Sequence, residues 1–357
     1  MIRNSRGPWP GGFVPAKGTV AVFAAGASLL VLGLHWMTGG PSSSRDDGAF
    51  APDLETEIEF VIPKGATPRE VVDTLTARGL VGWRWGFRAL ARLRGDDLNM
   101  KYGRYSVEKG ASWGTILDRI TRGAVVTVAV TVHEGATLEE MAGALSAVTP
   151  EDSAQVARVL TDSALAVSLG SPIPSLEGYL FPDTYRFASG TRIERVISEL
   201  WKRQNRVWDD SLRAVRLDSL EMSKHEVLTL ASIVQAEAAR TEEMPRIASV
   251  YRNRLEQDWP LEADPTVLYA LGGWRPRLLY AAMDSVAGHS YNTYTRSGLP
   301  PGPIGAPGEY AIDAVLWPAD ESFMFFVAGR NGYHEFSRTL AEHNRAIARI
   351  RNTEREK

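Results

Sequence analysis

The sequence predicts an α+β protein in three parts: a single N-terminal transmembrane helix, a small α+β subdomain and a larger mixed α+β domain. Three observations carry that prediction. One uncharged apolar stretch lies near the N-terminus. After it, a strand, an x-Gly turn and a short helix recur in that order. Beyond these, long helix-period segments alternate with loops rich in proline and glycine. At 357 residues the chain is long enough for more than one hydrophobic core.

The apolar stretch, Gly18 to Met37, contains no Asp, Glu, Lys or Arg. As a helix rising about 1.5 Å per residue it would just cross a hydrocarbon layer of about 30 Å. Arg3, Arg6 and Lys17 precede it, which keeps residues 1–17 in the cytoplasm and places everything after Met37 outside. A cleaved signal peptide is the competing reading, but its apolar region would be shorter, and TGGPSSS offers no clear A-x-A cleavage site. The expected organisation is therefore an anchor at 18–37, a flexible tether at 38–55, a small subdomain at 56–130, a larger domain at 131–350 and a tail at 351–357.

In the small subdomain, Ile58, Phe60 and Val61 read as a strand, Pro63-Lys64-Gly65 as a turn, and Thr67 with Glu70 as a capping box opening a helix closed by Gly79. Tyr102 to Val107, Lys109-Gly110 and the helix Trp113 to Ile120, ended by Gly123, repeat the design. Val128 to Val132, Glu134-Gly135 and a helix capped by Thr137 and Glu140 repeat it again.

Composition excludes some functions. A net charge of -3, from 40 basic and 43 acidic side chains, gives no field for nucleic acid. With no cysteine there is neither a disulfide framework nor a thiolate metal site, and the six histidines form no HExxH. No metal or organic cofactor is expected.

Candidate chemistry begins at Leu176. LEGYLFPDTY sets aromatic residues around Glu177 and Asp183, with Tyr179 between them. It reads equally as an aromatic strand pair or as a surface for the apolar faces and hydroxyls of a sugar. Ser223 and Glu226 form a capping box for a helix through Ala239, with Val227, Leu230, Ala231, Val234 and Ala238 on one face. Glu237 falls about 20° from Leu230, at the edge of that stripe, where burial would raise its pKa as a general acid requires. Arg246, Arg252 and Arg254 on the next helix are possible partners. Asp264, before Pro265, is either a helix cap or a polar group facing a cleft. Tyr291, Asn292, Thr293 and Tyr294 precede GLPPGPI, a loop too rich in proline for regular structure, which reads as a ligand-facing wall or a structural clamp.

Together, LEGYLFPDTY, LASIVQAEA, ASVYRNRL, EADPTVLYA, YNTYTRSGLPPGPIGAPG and FMFFVAGRNGYHEFSRTLAEHN resemble the signature stretches of the MltG/YceG family of endolytic murein transglycosylases. The first unit, from Phe60 to Gly123, is similar to the LysM-like subdomain of that family. The resemblance implies a YceG-like catalytic domain over 131–350, with Glu237 as the catalytic acid. Family members often carry a second glutamate two residues earlier, where this chain has Gln235. The resemblance further implies a lytic transglycosylase. Such an enzyme cleaves the β-1,4 bond between N-acetylmuramic acid and N-acetylglucosamine and leaves 1,6-anhydro ends, here near the membrane and beside the cell-wall synthesis machinery. Asp264, Asn292 and Tyr294 carry over as cleft residues. A muramidase-type hydrolase, with Asp264 positioning water, and a silent peptidoglycan-binding scaffold are the alternatives.

Overall fold

The computed structural model describes residues 57–273, 280–329 and 332–355. The apolar stretch at 18–37 and the tether lie outside the described residues; among those described, no helix is long and apolar enough to cross a membrane. The chain divides into two compact units on either side of the Val126–Thr127 bond.

The first unit pairs β1 (Glu57–Ile62) antiparallel with β2 (Gly103–Glu108), with Phe60 opposite Tyr105. Three helices pack with the pair: α1 (Pro68–Ala77), α2 (Arg84–Arg94) and α3 (Trp113–Arg122). Phe60, Leu75, Phe87, Tyr105, Ile116 and Ile120 fill its core. The Thr67–Glu70 capping box forms: the Glu70 carboxylate accepts the Thr67 N–H at 2.7 Å, and Thr67 Oγ1 accepts the Glu70 N–H at 3.3 Å. Helix α2 has no counterpart in the sequence reading. Its N-cap is Trp83, which supplies no capping oxygen, so the usual start signal is missing.

In the second unit β3 (Thr127–Thr131) pairs antiparallel with β4 (Thr184–Ala188). With β3 paired inside the second unit, the boundary falls at Val126–Thr127, a few residues before Val130. Between these strands run α4 (Leu138–Leu145), α5 (Ser153–Leu160) and α6 (Ser163–Leu169). After β4 come α7 (Ile193–Arg206), α8 (Ser211–Ser219), α9 (Lys224–Glu237), α10 (Met244–Glu256), α11 (Asp264–Ala270), α12 (Tyr280–Ser285) and α13 (Glu309–Leu316). A hairpin of β5 (Phe325–Ala328) and β6 (His334–Ser337) precedes α14 (Leu340–Arg355), which continues past Ile350 into the expected tail. Two buried clusters share the packing of Trp201, one around α4, α5 and α7 and one around α9, α10 and α13.

Helix α9 is the centre of the second cluster. Instead of one apolar stripe, every residue from Val227 to Val234 is buried, because α10, α11 and α13 all pack against it. Its two buried hydroxyls are satisfied locally. Thr229 Oγ1 donates to His225 O at 2.8 Å and Ser232 Oγ to Thr229 O at 2.7 Å.

The proline-rich loop is clamped along one side of α9. Ile304 N–H donates to Ser232 Oγ at 3.0 Å and Gly308 N–H to Gln235 Oε1 at 3.1 Å. His225 Nε2 lies 2.9 Å from Pro301 O, which can only accept. The imidazole proton therefore sits on Nε2, and Nδ1 accepts the Tyr179 hydroxyl at 2.6 Å. The loop also exchanges backbone hydrogen bonds with the β3–α4 turn: Gly135 N to Ala306 O at 2.7 Å and Ala306 N to Ala136 O at 2.9 Å.

Gly305 permits that approach, since a Cβ there would lie 2.4 Å from Gly135 O, a backbone atom that cannot step aside. We expect Gly305→Ala to lower stability by about 2 kcal/mol through forced separation of the two backbones. Urea unfolding followed by circular dichroism measures it, and an unchanged midpoint would contradict the clamp.

Candidate active site

Glu237 is the last residue of α9. The sequence predicts this helix through Ala239, but Ala238 turns extended at φ -77° and ψ 111°. The carboxylate is thus delivered at the helix C-terminus, where the exposed carbonyl dipoles disfavour a negative charge. Tyr251, on α10, is 1% exposed and packs edge-on against Phe326. Its hydroxyl donates to Glu237 Oε1 at 2.9 Å.

By surface area Glu237 is only half-buried, so a path to solvent persists, yet protein encloses the carboxylate closely. Desolvation is the main cause that pushes its pKa up to about 7, and the Asp264 charge adds to it. The Tyr251 hydrogen bond and the Arg254 charge oppose the rise without cancelling it. Burial also raises the Tyr251 phenol far above its ordinary range, so this hydroxyl stays a donor.

Asp264 is exposed at the first residue of α11, and Tyr294 donates to its Oδ1 at 2.6 Å. The Tyr294 phenol is held above its usual range by burial, then by Asp264 and by Glu237. Glu237, Tyr251, Asp264 and Tyr294 therefore share one electrostatic patch. It consists of a proton-holding carboxyl backed by one tyrosine and neighboured by a carboxylate that a second tyrosine holds.

Asn292 is buried away from any cleft, contrary to the sequence expectation, whereas Thr293, though almost wholly buried, borders a surface pocket with Ser290, Arg296, Ser297 and the Gly298–Pro301 turn. Both are buried because they tie the loop down. Asn292 Nδ2 donates to Val286 O at 3.2 Å, and its Oδ1 accepts the Tyr294 N–H at 3.0 Å. Thr293 Oγ1 accepts the Ala263 N–H at 3.0 Å and lies 2.8 Å from Thr266 Oγ1. Thr293 O accepts the Glu262 N–H at 3.1 Å, fixing Glu262 at φ 48°, a left-handed geometry that costs a side-chain-bearing residue about 1 kcal/mol or more. These bonds set Asp264 and Tyr294 facing each other.

The remaining expected site residues fall elsewhere. Glu177 is 5% exposed; its carboxyl accepts the Leu138 N–H at 3.2 Å and the Tyr269 hydroxyl at 3.4 Å, and burial pushes its pKa up to about 8. Tyr291 packs on Tyr269 with ring centres 4.8 Å apart, and Tyr179 packs on Trp201 and His225. These form a second cluster that ties α4, α11 and the loop together. Asp183 sits at the surface, 3.3 Å from Arg203. Of the three arginines on α10, Arg246 pairs with Glu321 and Arg252 with Glu256, while Arg254 pairs with Glu262 and donates to Met324 O and Leu261 O. Sequence reasoning missed Tyr251, which lies within the quoted ASVYRNRL but bears no local mark of its contact with the preceding helix. Among the described residues, no three His, Asp or Glu side chains gather to hold a metal ion.

The raised pKa makes a stability prediction. A Glu that titrates near 7 when folded and near 4.3 when unfolded binds more protons in the native state between those values. Native stability is therefore lost as pH rises through that window, and the full penalty persists above it. Glu237→Gln keeps the Tyr251 hydrogen bond and removes the titration. We expect the variant to match the parent near pH 4.5 and to exceed it above pH 7 by at most about 4 kcal/mol. Thermal unfolding at both pH values checks this.

The YceG-like family model matches residues 60–349. An endolytic murein transglycosylase of Bacillus subtilis (strain 168) is 32% identical over 321 residues, spanning 85% of this chain and 88% of that protein. An endolytic murein transglycosylase of Streptococcus pneumoniae (strain ATCC BAA-255 / R6) is 30% identical over 319 residues, spanning 79% of this chain but 57% of that longer protein. A crystal structure of a YceG-like protein from Listeria monocytogenes aligns with a TM-score of 0.57 at 30% identity, over 82% of this chain and 99% of that one. With the family's match running through both units and the mixed α+β fold shared, the chain belongs to the YceG-like family.

Proposed function

We propose that this chain is an endolytic lytic transglycosylase of peptidoglycan, with Glu237 acting first as acid and then as base. The observation that carries the reading is a single carboxyl, held by Tyr251 and poised to titrate near neutrality, within the family-matched unit. Two similar proteins bear the name endolytic murein transglycosylase, which points to glycan strands as the substrate.

In the proposed reaction, protonated Glu237 donates to the β-1,4 oxygen between N-acetylmuramic acid and N-acetylglucosamine. The C1–O bond breaks with oxocarbenium character. The ionised Glu237 then takes the proton of the muramic acid C6 hydroxyl, and O6 closes on C1 to give the 1,6-anhydro end. Atoms and protons balance without water, and the carboxyl finishes protonated. The nucleophile belongs to the substrate, so proximity is supplied intramolecularly and a second catalytic carboxylate is unnecessary. Asp264, exposed and close enough for its charge to act on Glu237, would favour the developing positive charge.

A second reading rests on that same Asp264. If it positioned water, the enzyme would be a muramidase-type hydrolase and leave reducing ends. Mass spectrometry of digested glycan strands separates the two, because anhydro ends are lighter by one water. We expect anhydro products from the parent and a loss of at least 10²-fold in Glu237→Gln. Undiminished anhydro product from that variant would remove Glu237 from the mechanism.

We further propose that residues 18–37 anchor the chain in the cytoplasmic membrane with the enzyme outside. Cleavage would then fall on nascent strands next to the synthesis machinery and end their elongation. The LysM-like first unit would hold the strand.

The pH profile tests the acid role. Since the proton must be present at the start, kcat/KM should fall as pH rises through about 7. Tyr251→Phe removes a hydrogen bond that favours the ionised form, so the falling limb should move to higher pH. An unmoved limb would show that another group sets it.

A further inference from the structure

We propose that the outer face of α2 in the first unit docks into the headgroup layer of an anionic phospholipid bilayer. The proposal uses the reading of residues 18–37 as an anchor but concerns a different surface. Helix α2 buries Gly86, Phe87 and Ala91 against its own unit. Its opposite side carries two parallel rows, each stepping four residues: Arg84, Arg88 and Arg92, and beside them Trp85, Ala89 and Leu93.

Trp85 is 73% exposed and Leu93 is 86% exposed. At the ends of the helix, Trp83 at the N-cap is 56% exposed with its ring over Gly86, and Leu98, in the turn beyond Gly95, is 88% exposed. Single exposed apolar residues are ordinary, whereas two tryptophans and two leucines on one helix and its ends are not. Of the arginines, Arg84 pairs with Asp73 and Arg92 lies a loose 3.8 Å from Asp97. Arg88 stands 5.4 Å over the Trp85 ring and has no carboxylate partner among the described residues. Indole rings favour the membrane–water boundary, and a basic row beside an apolar row is the pattern of helices lying in that plane.

A sugar strand fits this face less well. The arginine row could donate to sugar hydroxyls, but Leu93 and Leu98 are exposed aliphatic side chains that offer hydroxyls no partner and would be better covered by acyl chains. Chain length favours the bilayer. Residues 38–56 separate the apolar stretch from β1 in sequence, and a Gly/Ser-rich chain of that length would span about 25 Å on average. An embedded segment would therefore hold the first unit against the lipid surface.

The sequence has no cysteine, so one introduced thiol takes one label. An environment-sensitive fluorophore is placed on the full chain at Leu93→Cys, with Leu212→Cys on exposed α8 as the control. Each is reconstituted into vesicles of phosphatidylglycerol and phosphatidylethanolamine with brominated acyl chains. The expected result is blue-shifted, quenched emission at position 93 and none at 212. The effect should be lost in phosphatidylcholine vesicles and in the Arg88→Glu/Arg92→Glu background. Docking is overturned if the label at 93 is quenched no more than at 212, or is shielded only by added glycan strands or by raised protein density. Flotation after a high-salt wash reports the anchor separately: protein that fails to float sinks the anchor reading, while the label's response to the same vesicles still decides docking.

Discussion

The enclosure of one carboxyl at the end of a buried helix is the constraint to which the rest of the second unit answers. A carboxylate in water titrates near 4.3 and cannot protonate a glycosidic oxygen at neutral pH. Burial supplies the correction, and it requires α9 to be wrapped on all sides as far as its last turn. Val227 to Val234 are therefore uniformly buried, and the helix stops as soon as Glu237 has been delivered. Total burial would trap the proton, so Tyr251 and Arg254 restrain the rise. The outcome is a group able to give its proton and take one back.

Holding the neighbours in place costs strain and buried polar groups, and each is compensated nearby. Glu262 accepts a left-handed backbone because Thr293 O receives its N–H and Arg254 holds its carboxylate. Thr293 and Thr266 are buried hydroxyls that satisfy each other and the backbone at Ala263. Asp264 and Tyr294 are thus presented by rigid segments even though both lie in or beside loops. The second acid cluster, around Glu177, serves the same end at a distance: its carboxyl joins the first turn of α4 to Tyr269 on α11, and Tyr269 in turn packs on Tyr291.

Local signals were legible in the sequence and contacts between segments were not. The capping boxes at Thr67, Thr137 and Ser223 depend on residues three apart, and all three form. Helix α2 escaped because Trp83 offers no cap, and the all-round burial of α9 escaped because periodicity describes one face at a time. Asn292 and Thr293 look alike in the sequence, since a polar side chain in a rigid loop serves a ligand or the loop itself with the same composition; both hold the loop, and Thr293 alone also borders the pocket there. Only the partners, at Val286 and Ala263, decide between these. Tyr251 is separated from Glu237 by fourteen positions and a change of helix, so nothing local could pair them.

Gln235 shows how position alone assigns chemistry on this helix. It lies two residues from Glu237, yet a step of two turns the side chain by about 200°, to the side where the proline-rich loop is clamped. There its Oε1 accepts the Gly308 N–H, in line with Ser232 accepting the Ile304 N–H one turn earlier. The site needs an acceptor and no ionisable proton, so an amide serves it as well as a carboxylate would. An acid at 235 would place a second negative charge near the exposed Glu134 carboxylate, which already crowds Gly308. The amide avoids that repulsion and leaves Glu237 the one acid on the last turn of the helix, which is all that the proposed intramolecular nucleophile would demand.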